Sequence, residues 1–436
     1  MKFLEYIKKQ FKVVVVDTEF QSDASGTYCT KALCAVYKDL GTGQVLKIWD
    51  HGQNNIAQHH FDFEKTLFVC HYATAEAGYF LKQLMGRPPF VFDCWVEYQR
   101  LYKGLRAESS LLACARAYEY PHPTSKEEKD YFRDKCIKQN TWSQKEKDGI
   151  LDYCEKDVLM SEHVFKHLLN DIEEVCGSNY EILLEQALER GAAMVSVSHT
   201  QKHGMSIDIN LVDDFNTYWP LVKDSVIQEL NKSLGLWDEK SKFSHAKFGE
   251  LLRDLGLETE WPLTPKGRYK TREDVFEIFE ETYPEIKAIA RVFKLSNKTK
   301  LSEFLMSEDG RYRPNGGFKM FGTKTSRCTP SSKWIFGTSK WTRNFLKPPI
   351  GSVLIYCDYK SEEPFIAAQL SGDELLKSAY GSGDIYVHTA KLAKLVGDNA
   401  TAASEPEKRK IFKVVVLAVN YGMGSISMAK GLKKYG

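Results

Sequence analysis

The sequence predicts an α/β domain, then a long α-helical region, then a second mixed region. Val13-Val14-Val15-Val16 is a continuous β-branched run, as a strand buried on both faces requires. Apolar and polar segments alternate up to Asp157, which suits a mixed sheet covered by helices. From Tyr180 to about Leu305 nearly every segment reads as amphipathic helix. From Arg311 the texture turns Gly- and aromatic-rich, with Tyr312, Arg313, Gly316, Gly317, Phe318, Phe321 and Gly322. At 436 residues the chain is too long for one ordinary domain.

Composition bounds the partners. Hydrophobic residues at 43% supply ample core, and 60 Lys and Arg against 58 Asp and Glu leave a net charge of +2. Any surface for an anionic polymer must therefore be local, as in a channel. Ten cysteines stand scattered without a CxxC pair, which argues against zinc and for a reducing compartment. No run of 18 apolar residues exists, so the expectation is a soluble protein inside the cell.

In chain order, the valine run ends in Asp17-Thr18-Glu19, and a period of two puts both carboxylates on one side of the strand. Such a pair suits bridging of divalent metals, and equally suits a solvated strand end. Asp93, after Phe90-Val91-Phe92, reads as the end of another strand. Pro121 to Lys126 reads as a loop, and charged Glu127 to Asp148 as a solvated helical face. Tyr153 and Asp157 stand four apart, on one helix face; Asp152 and Glu155 read as solvated neighbours. Val164, Leu168, Ile172 and Val175 are spaced for one buried face, and Gly177-Ser178-Asn179 marks a boundary. Thr271 to Asp274 looks like a helix start.

Further on, Leu354 to Cys357 reads as a buried strand delivering Asp358 at its tip, with Glu363 five residues later. That placement suits a divalent metal, or a cap on the next helix. Arg409, Lys413, Leu417 and Tyr421 are each four apart, so on a helix two cations, an apolar residue and a phenol share one face. Such a face suits a nucleoside triphosphate. The β-branched Val414-Val415-Val416 leaves open a buried strand with a basic turn instead.

These residues resemble known motifs. Asp358 to Glu363 resembles motif A of family A (Pol I-like) DNA polymerases, and Arg409 to Gly422 resembles the fingers-helix motif R-x-x-x-K-x-x-x-x-x-x-x-Y-G. Gly383-Asp384-Ile385-Tyr386 is similar to the family's G-x-D-[IP]-[HY] segment. Lys324 to Arg327 is similar to its T-G-R motif, and Gly204 to Asp208 to the turn at the base of the thumb. Asp17-Thr18-Glu19 with Tyr153-x-x-x-Asp157 resembles the first and third motifs of DEDDy 3′–5′ exonucleases. His71 to Glu76 is the candidate second motif, with Tyr72 for Asn, Ala75 for an aromatic and Glu76 for Asp.

The resemblance implies an RNase H-like exonuclease domain over residues 1–176 and a helical thumb over 177–310. The N-terminal part of a palm follows over 311–370, and partial fingers over 371–436. It implies that Asp17, Glu19, Glu76 and Asp157 hold two Mg²⁺ or Mn²⁺ ions, with Tyr153 orienting the attacking water. Asp358 would be a polymerase metal ligand and Glu363 would exclude ribonucleotides. Arg409 and Lys413 would bind phosphates, and Leu417 and Tyr421 would pack near the nucleotide. Arg327 and Arg343, with Lys294, Asn297, Lys298 and Lys300, are candidates for the DNA backbone. The implied partners are a DNA primer–template and dNTPs, in DNA replication, with no membrane; the likeness to phage-type members implies the cytoplasm of a bacterial host.

The family's second palm carboxylate lies in an H-D-E motif beyond the fingers helix, and the sequence stops at Gly436. The expectation is that this chain alone does not polymerise, being a split or truncated piece completed by a second chain that carries the rest of the palm. A stand-alone 3′–5′ exonuclease and a catalytically silent nucleic-acid-binding subunit are the alternatives.

Overall fold

The computed structural model describes residues 2–22, 28–49, 61–83, 85–105, 108–298, 310–313, 318–323, 325–330 and 340–432. Lys300, Gly316, Gly317 and Lys324 lie outside these residues, as do the side chains of Asn297 and Lys298. The chain divides into two compact units, Met1–Ile227 with Leu295–Gly351 and Gln228–Lys294 with Ser352–Gly436.

In the first unit, α1 (Lys2–Lys8) leads into β1 (Lys12–Ser22), β2 (Cys29–Asp39), β3 (Val45–Trp49) and β4 (Thr66–Cys70). Then come α2 (Thr74–Lys82), β5 (Val91–Asp93), α3 (Cys94–Tyr102), α4 (Leu111–Ala117), α5 (Lys126–Lys138), α6 (Gln144–Cys176) and α7 (Tyr180–His203). The strands form one mixed sheet in the order β3-β2-β1-β4-β5, with β1 antiparallel to β2 and parallel to β4. The valine run explains itself here. Val13 and Val15 pack into one layer with Phe165 and Leu168 of α6, and Val14 and Val16 into the opposite layer with Phe80 of α2 and Met194 of α7. A strand at the centre of a sheet with helices on both faces has no polar side to show.

Local chemistry sets the helix starts. Ser125 caps α5, and Ser143 with Glu146 forms a capping box that starts the 33-residue α6. Helix α6 thus begins well before the stripe from Val164, and the charged segment at Glu127 to Asp148 lies in two helix pieces. On α7, a Cβ at Gly191 would lie 1.9 Å from the carbonyl oxygen of Val91, so only glycine lets this helix cross β5. Gly204, at φ +60°, ends α7 in the turn expected there, and Met205 and Ile207 bridge to Tyr312 and Leu346.

Helix α8 (Ile209–Leu234), which contains Pro220, runs from the first unit into the second. There α9 (His245–Asp254), α10 (Glu273–Phe279) and α11 (Pro284–Lys298) follow, with α10 starting as its sequence suggests. Aromatic packing holds this stretch: Trp261 stacks on Phe279 at 4.8 Å and meets Phe248 edge-on at 5.4 Å. After Arg311 the described residues hold one short strand pair, β6 (Phe318–Lys319) with β7 (Thr329–Pro330), in the first unit.

The second unit continues with α12 (Glu362–Ser371), α13 (Glu374–Gly381), α14 (Ile385–Leu392), α15 (Pro406–Asn420) and α16 (Ser425–Leu432). Ala379, Ile385, Tyr386, Ala390 and Phe412 form their shared core. Two expectations change. Leu354 to Cys357 is not a buried strand: residues 352–359 form neither helix nor strand, and Val353 and Ile355 are 79% and 76% exposed. An apolar run becomes a strand only where a neighbour completes its ladder. The Val414 to Val416 segment is helical, within α15, so packing of Phe412 and Ala418 overrides the modest β-branched penalty.

Candidate functional site

Asp17 and Glu19 point the same way from central strand β1, with the buried Thr18 between them facing the other side. Helix α6 crosses this part of the sheet. It brings Tyr153, Cys154 and Asp157, all buried, to β1. The Cys154 thiol donates to Asp17, 3.2 Å from Oδ2 and 3.3 Å from the backbone oxygen. The Tyr153 hydroxyl hydrogen-bonds the Asp157 carboxylate. From the first turn of α2 comes Glu76, 3% exposed, whose Oε2 is buried with no hydrogen-bond partner among the described residues. All five exonuclease-type residues expected from the sequence therefore belong to one neighbourhood.

Their protonation records the crowding. Burial, then the charges of Asp157, Glu19 and Glu76, hold the Asp17 carboxyl well above its usual range. Glu19 is pushed up to about 7 by burial and Asp157, against the pull of Lys129. Asp157 rises to about 6, chiefly through burial, and Glu76 is raised by burial, Asp93 and Glu19. Buried carboxylates that repel one another need protons or cations. Among the described residues, no three His, Cys, Asp or Glu side chains already form a metal-ligand group. The donor set nonetheless has the chemistry of Mg²⁺ or Mn²⁺: hard oxygen ligands, one of them an orphaned buried oxygen.

The surrounding residues sort themselves. Asp93 ends β5 and accepts backbone N–H groups from Tyr72, Ala73, Trp95 and Val96, so it is a structural cap, as its sequence position suggests. Asp152 and Glu155 are not simply solvated: each lies 2.7 Å from Lys47 of β3. Tyr72 sits at φ +81°, a conformation that asparagine tolerates better, and its ring rests edge-on against Trp95 at 5.1 Å. Reading the charged stretch as a solvated face missed the inner side of α5. Phe132 stacks on Tyr153 at 5.2 Å, and the charges of Lys129 and Arg133 act on Glu19. The spacing Lys129-Phe132-Cys136, one apolar stripe beside a lysine, was the available signal.

In the second unit, α15 carries Arg409, Lys413 and Leu417 on one face, and Tyr421 is its C-cap residue. The Tyr421 hydroxyl donates to Glu363 Oε1 at 2.8 Å, joining two motifs 58 positions apart. Arg409 Nε donates to Asp384 Oδ2 at 2.6 Å, while Asp384 Oδ1 caps α14 through the N–H groups of Tyr386 and Val387. The guanidinium lies 5.3 Å from the Tyr386 ring centre. Lys413 and Asp358 are exposed. Arg327, in a turn where its N–H donates to Thr323 Oγ1 at 2.8 Å, and Arg343 both belong to the first unit.

Residues 242–435 match the family model described as DNA polymerase family A. DNA polymerase I of Aquifex aeolicus (strain VF5) is 28% identical over 178 residues, covering 40% of this chain and 29% of that protein. The thermostable DNA polymerase I of Thermus filiformis is 23% identical over 288 residues, covering 63% and 33%. DNA polymerase I of Chloroflexus aurantiacus is 26% identical over 179 residues, covering 38% and 18%. The chain thus spans a third or less of the length of these relatives. The fold is similar to that of the POL domain of Pol1 from M. smegmatis, solved in complex with DNA primer-template and dNTP. The TM-score is 0.66 at 16% identity, covering 99% of this chain and 72% of that one. Residues 242–435 are thus similar in sequence to family A DNA polymerases, and the fold is similar to that of a polymerase POL domain.

Proposed function

We propose that the chain is a DNA-directed DNA polymerase of family A, acting in DNA replication, with a 3′–5′ proofreading exonuclease in its first unit. The observation that carries this reading is the agreement between the family match and the geometry of α15. Its Arg409, Lys413 and Leu417 share one face, and Tyr421 is hydrogen-bonded to Glu363. Lys413 and Arg409 neutralise the triphosphate, Leu417 and Tyr421 pack on sugar and base, and Glu363 fills the space of a ribose 2′-hydroxyl. Asp358 would hold a divalent metal, which supplies charge stabilisation at the reacting oxygens. Val353, Leu354, Ile355 and Tyr356 are exposed beside Asp358 and form an apolar surface.

In the first unit, Asp17, Glu19, Glu76 and Asp157 would hold Mg²⁺ or Mn²⁺, and Tyr153 orients the water that enters. The sheet order, with β1 central and its acids facing α6, supports an RNase H-like nuclease. A second reading, a stand-alone 3′–5′ exonuclease, is favoured by one contrast: the four acids of the first unit are drawn together, whereas Asp358 lies exposed.

A 5′-labelled primer on a longer template, with Mg²⁺ and with or without dNTPs, separates the readings. Shortening that is lost in Asp17→Ala establishes the nuclease. Lengthening with dNTPs, alone or with a polypeptide carrying the rest of the palm, and lost in Asp358→Ala, establishes the polymerase. Shortening without lengthening under any of these conditions leaves the stand-alone nuclease, and an unchanged primer overturns both.

A further inference from the structure

Three free, buried thiols converge on the two acids of β1. Cys34 stands opposite Glu19 on β2, so the two side chains leave the same face of the sheet. Cys136 comes from α5 and hydrogen-bonds Glu19. Cys154 comes from α6, between Tyr153 and Asp157 in the sequence. Its single S–H is shared between Asp17 Oδ2 at 3.2 Å and the Asp17 backbone oxygen at 3.3 Å, which ties the carboxylate to its own main chain. All three cysteines lie in the apolar layer with Val15 and Phe165, where close packing denies them other partners.

How many of a carboxylate's lone pairs the protein takes decides what the group can do. Asp93 gives both oxygens to backbone N–H groups, four in all, and serves as a cap. Asp17 gives Oδ2 to a thiol, which is a weak donor. That contact sets the plane of the carboxylate while drawing little of its charge, so Oδ1 keeps its capacity for a hard cation. An ammonium or guanidinium in the same place would hold Asp17 as firmly but compete with that cation. Glu76 Oε2, buried and without a hydrogen-bond partner among the described residues, is a second oxygen kept for a ligand. Resting on the nuclease reading above, we propose that Cys154 is a positioning residue: its thiol sets the orientation in which Asp17 meets a divalent cation, without itself touching cation or substrate.

The test pairs two readouts on the full chain: Mn²⁺ affinity by calorimetry, and kcat and KM for degradation of a 5′-labelled single-stranded oligodeoxynucleotide in Mg²⁺. Cys154→Ala is expected to weaken Mn²⁺ binding about 10- to 100-fold and to lower kcat by a similar factor with KM unchanged. Cys154→Ser, which restores a donor, is expected to recover most of both. If the sulfur served packing alone, serine would do no better than alanine, because both vacate the same space and the hydroxyl adds a polar group to an apolar layer. Equal losses in the two variants would therefore overturn the proposal. So would wild-type Mn²⁺ affinity in Cys154→Ala, or a wild-type chain that binds no Mn²⁺. An oligonucleotide left intact by the wild-type chain overturns the nuclease reading instead, while the Mn²⁺ titration still decides whether Cys154 positions Asp17.

Discussion

Glu19 lies on β1 facing Asp157 across a space that also receives Asp17 and Glu76, and its proton is held up to about 7 against an ordinary 4.5. A carboxyl whose proton is held more tightly in the folded state makes folding less favourable as pH rises from its unfolded to its folded value. For Glu19 and Asp157 that window runs from roughly pH 4 to roughly pH 7. In EDTA, the melting temperature of the first unit is therefore expected to fall by about 5 °C between pH 5 and pH 8. Glu19→Gln should flatten this dependence, and Mn²⁺ at pH 8 should reverse it. A melting temperature that rises over this interval would mean that the acids do not confront one another. Asp93, equally buried, is also raised, to about 6: burial outweighs the four backbone N–H groups that donate to its oxygens.

At the scale of elements, the legible parts were those whose reason is local. Four consecutive valines ending in two acids specify a central strand and a site face, and Tyr153 with Asp157 specifies one helix face. That Asp17, Glu19, Tyr153 and Asp157 gather could thus be expected without coordinates, and Glu76 joins them through its resemblance to a motif it matches imperfectly. The hidden parts depend on what packs nearby. Leu354 to Cys357 has the composition of a strand but lacks a described neighbour, and Lys129 stands in a segment whose charge looks like solvation. Crossings of elements are hidden too. The approach of α7 to β5 is legible only as an unremarkable glycine, yet Gly191→Ala must displace backbone. It should cost about 1–3 kcal/mol, read as a lower urea midpoint with an unchanged m-value. A neutral substitution there would mean that α7 sits farther from Val91.

At the scale of the whole molecule, a net charge of +2 makes any hold on DNA the work of a few placed cations. Phosphate contacts give affinity that falls with salt and ignores sequence. Arg327→Ala should weaken primer–template binding equally on unrelated sequences, and reduce the slope of log K against log salt by about 1. A loss confined to one sequence would instead mark base contact. The two compact units divide the proposed labour, with nuclease acids in one and nucleotide-binding cations in the other.

The proposed nuclease site is also ordered in time. Cys154, which binds Asp17, follows it by 137 positions, and the helix that carries Cys154 is the last element to reach the site. At roughly 5–20 residues per second, a ribosome completes β1 roughly 7–27 s before it delivers this part of α6. During that interval the nascent chain holds Asp17 and Glu19 but not Asp157, so on the proposed reading a growing polypeptide has no assembled nuclease with which to attack nucleic acid around it.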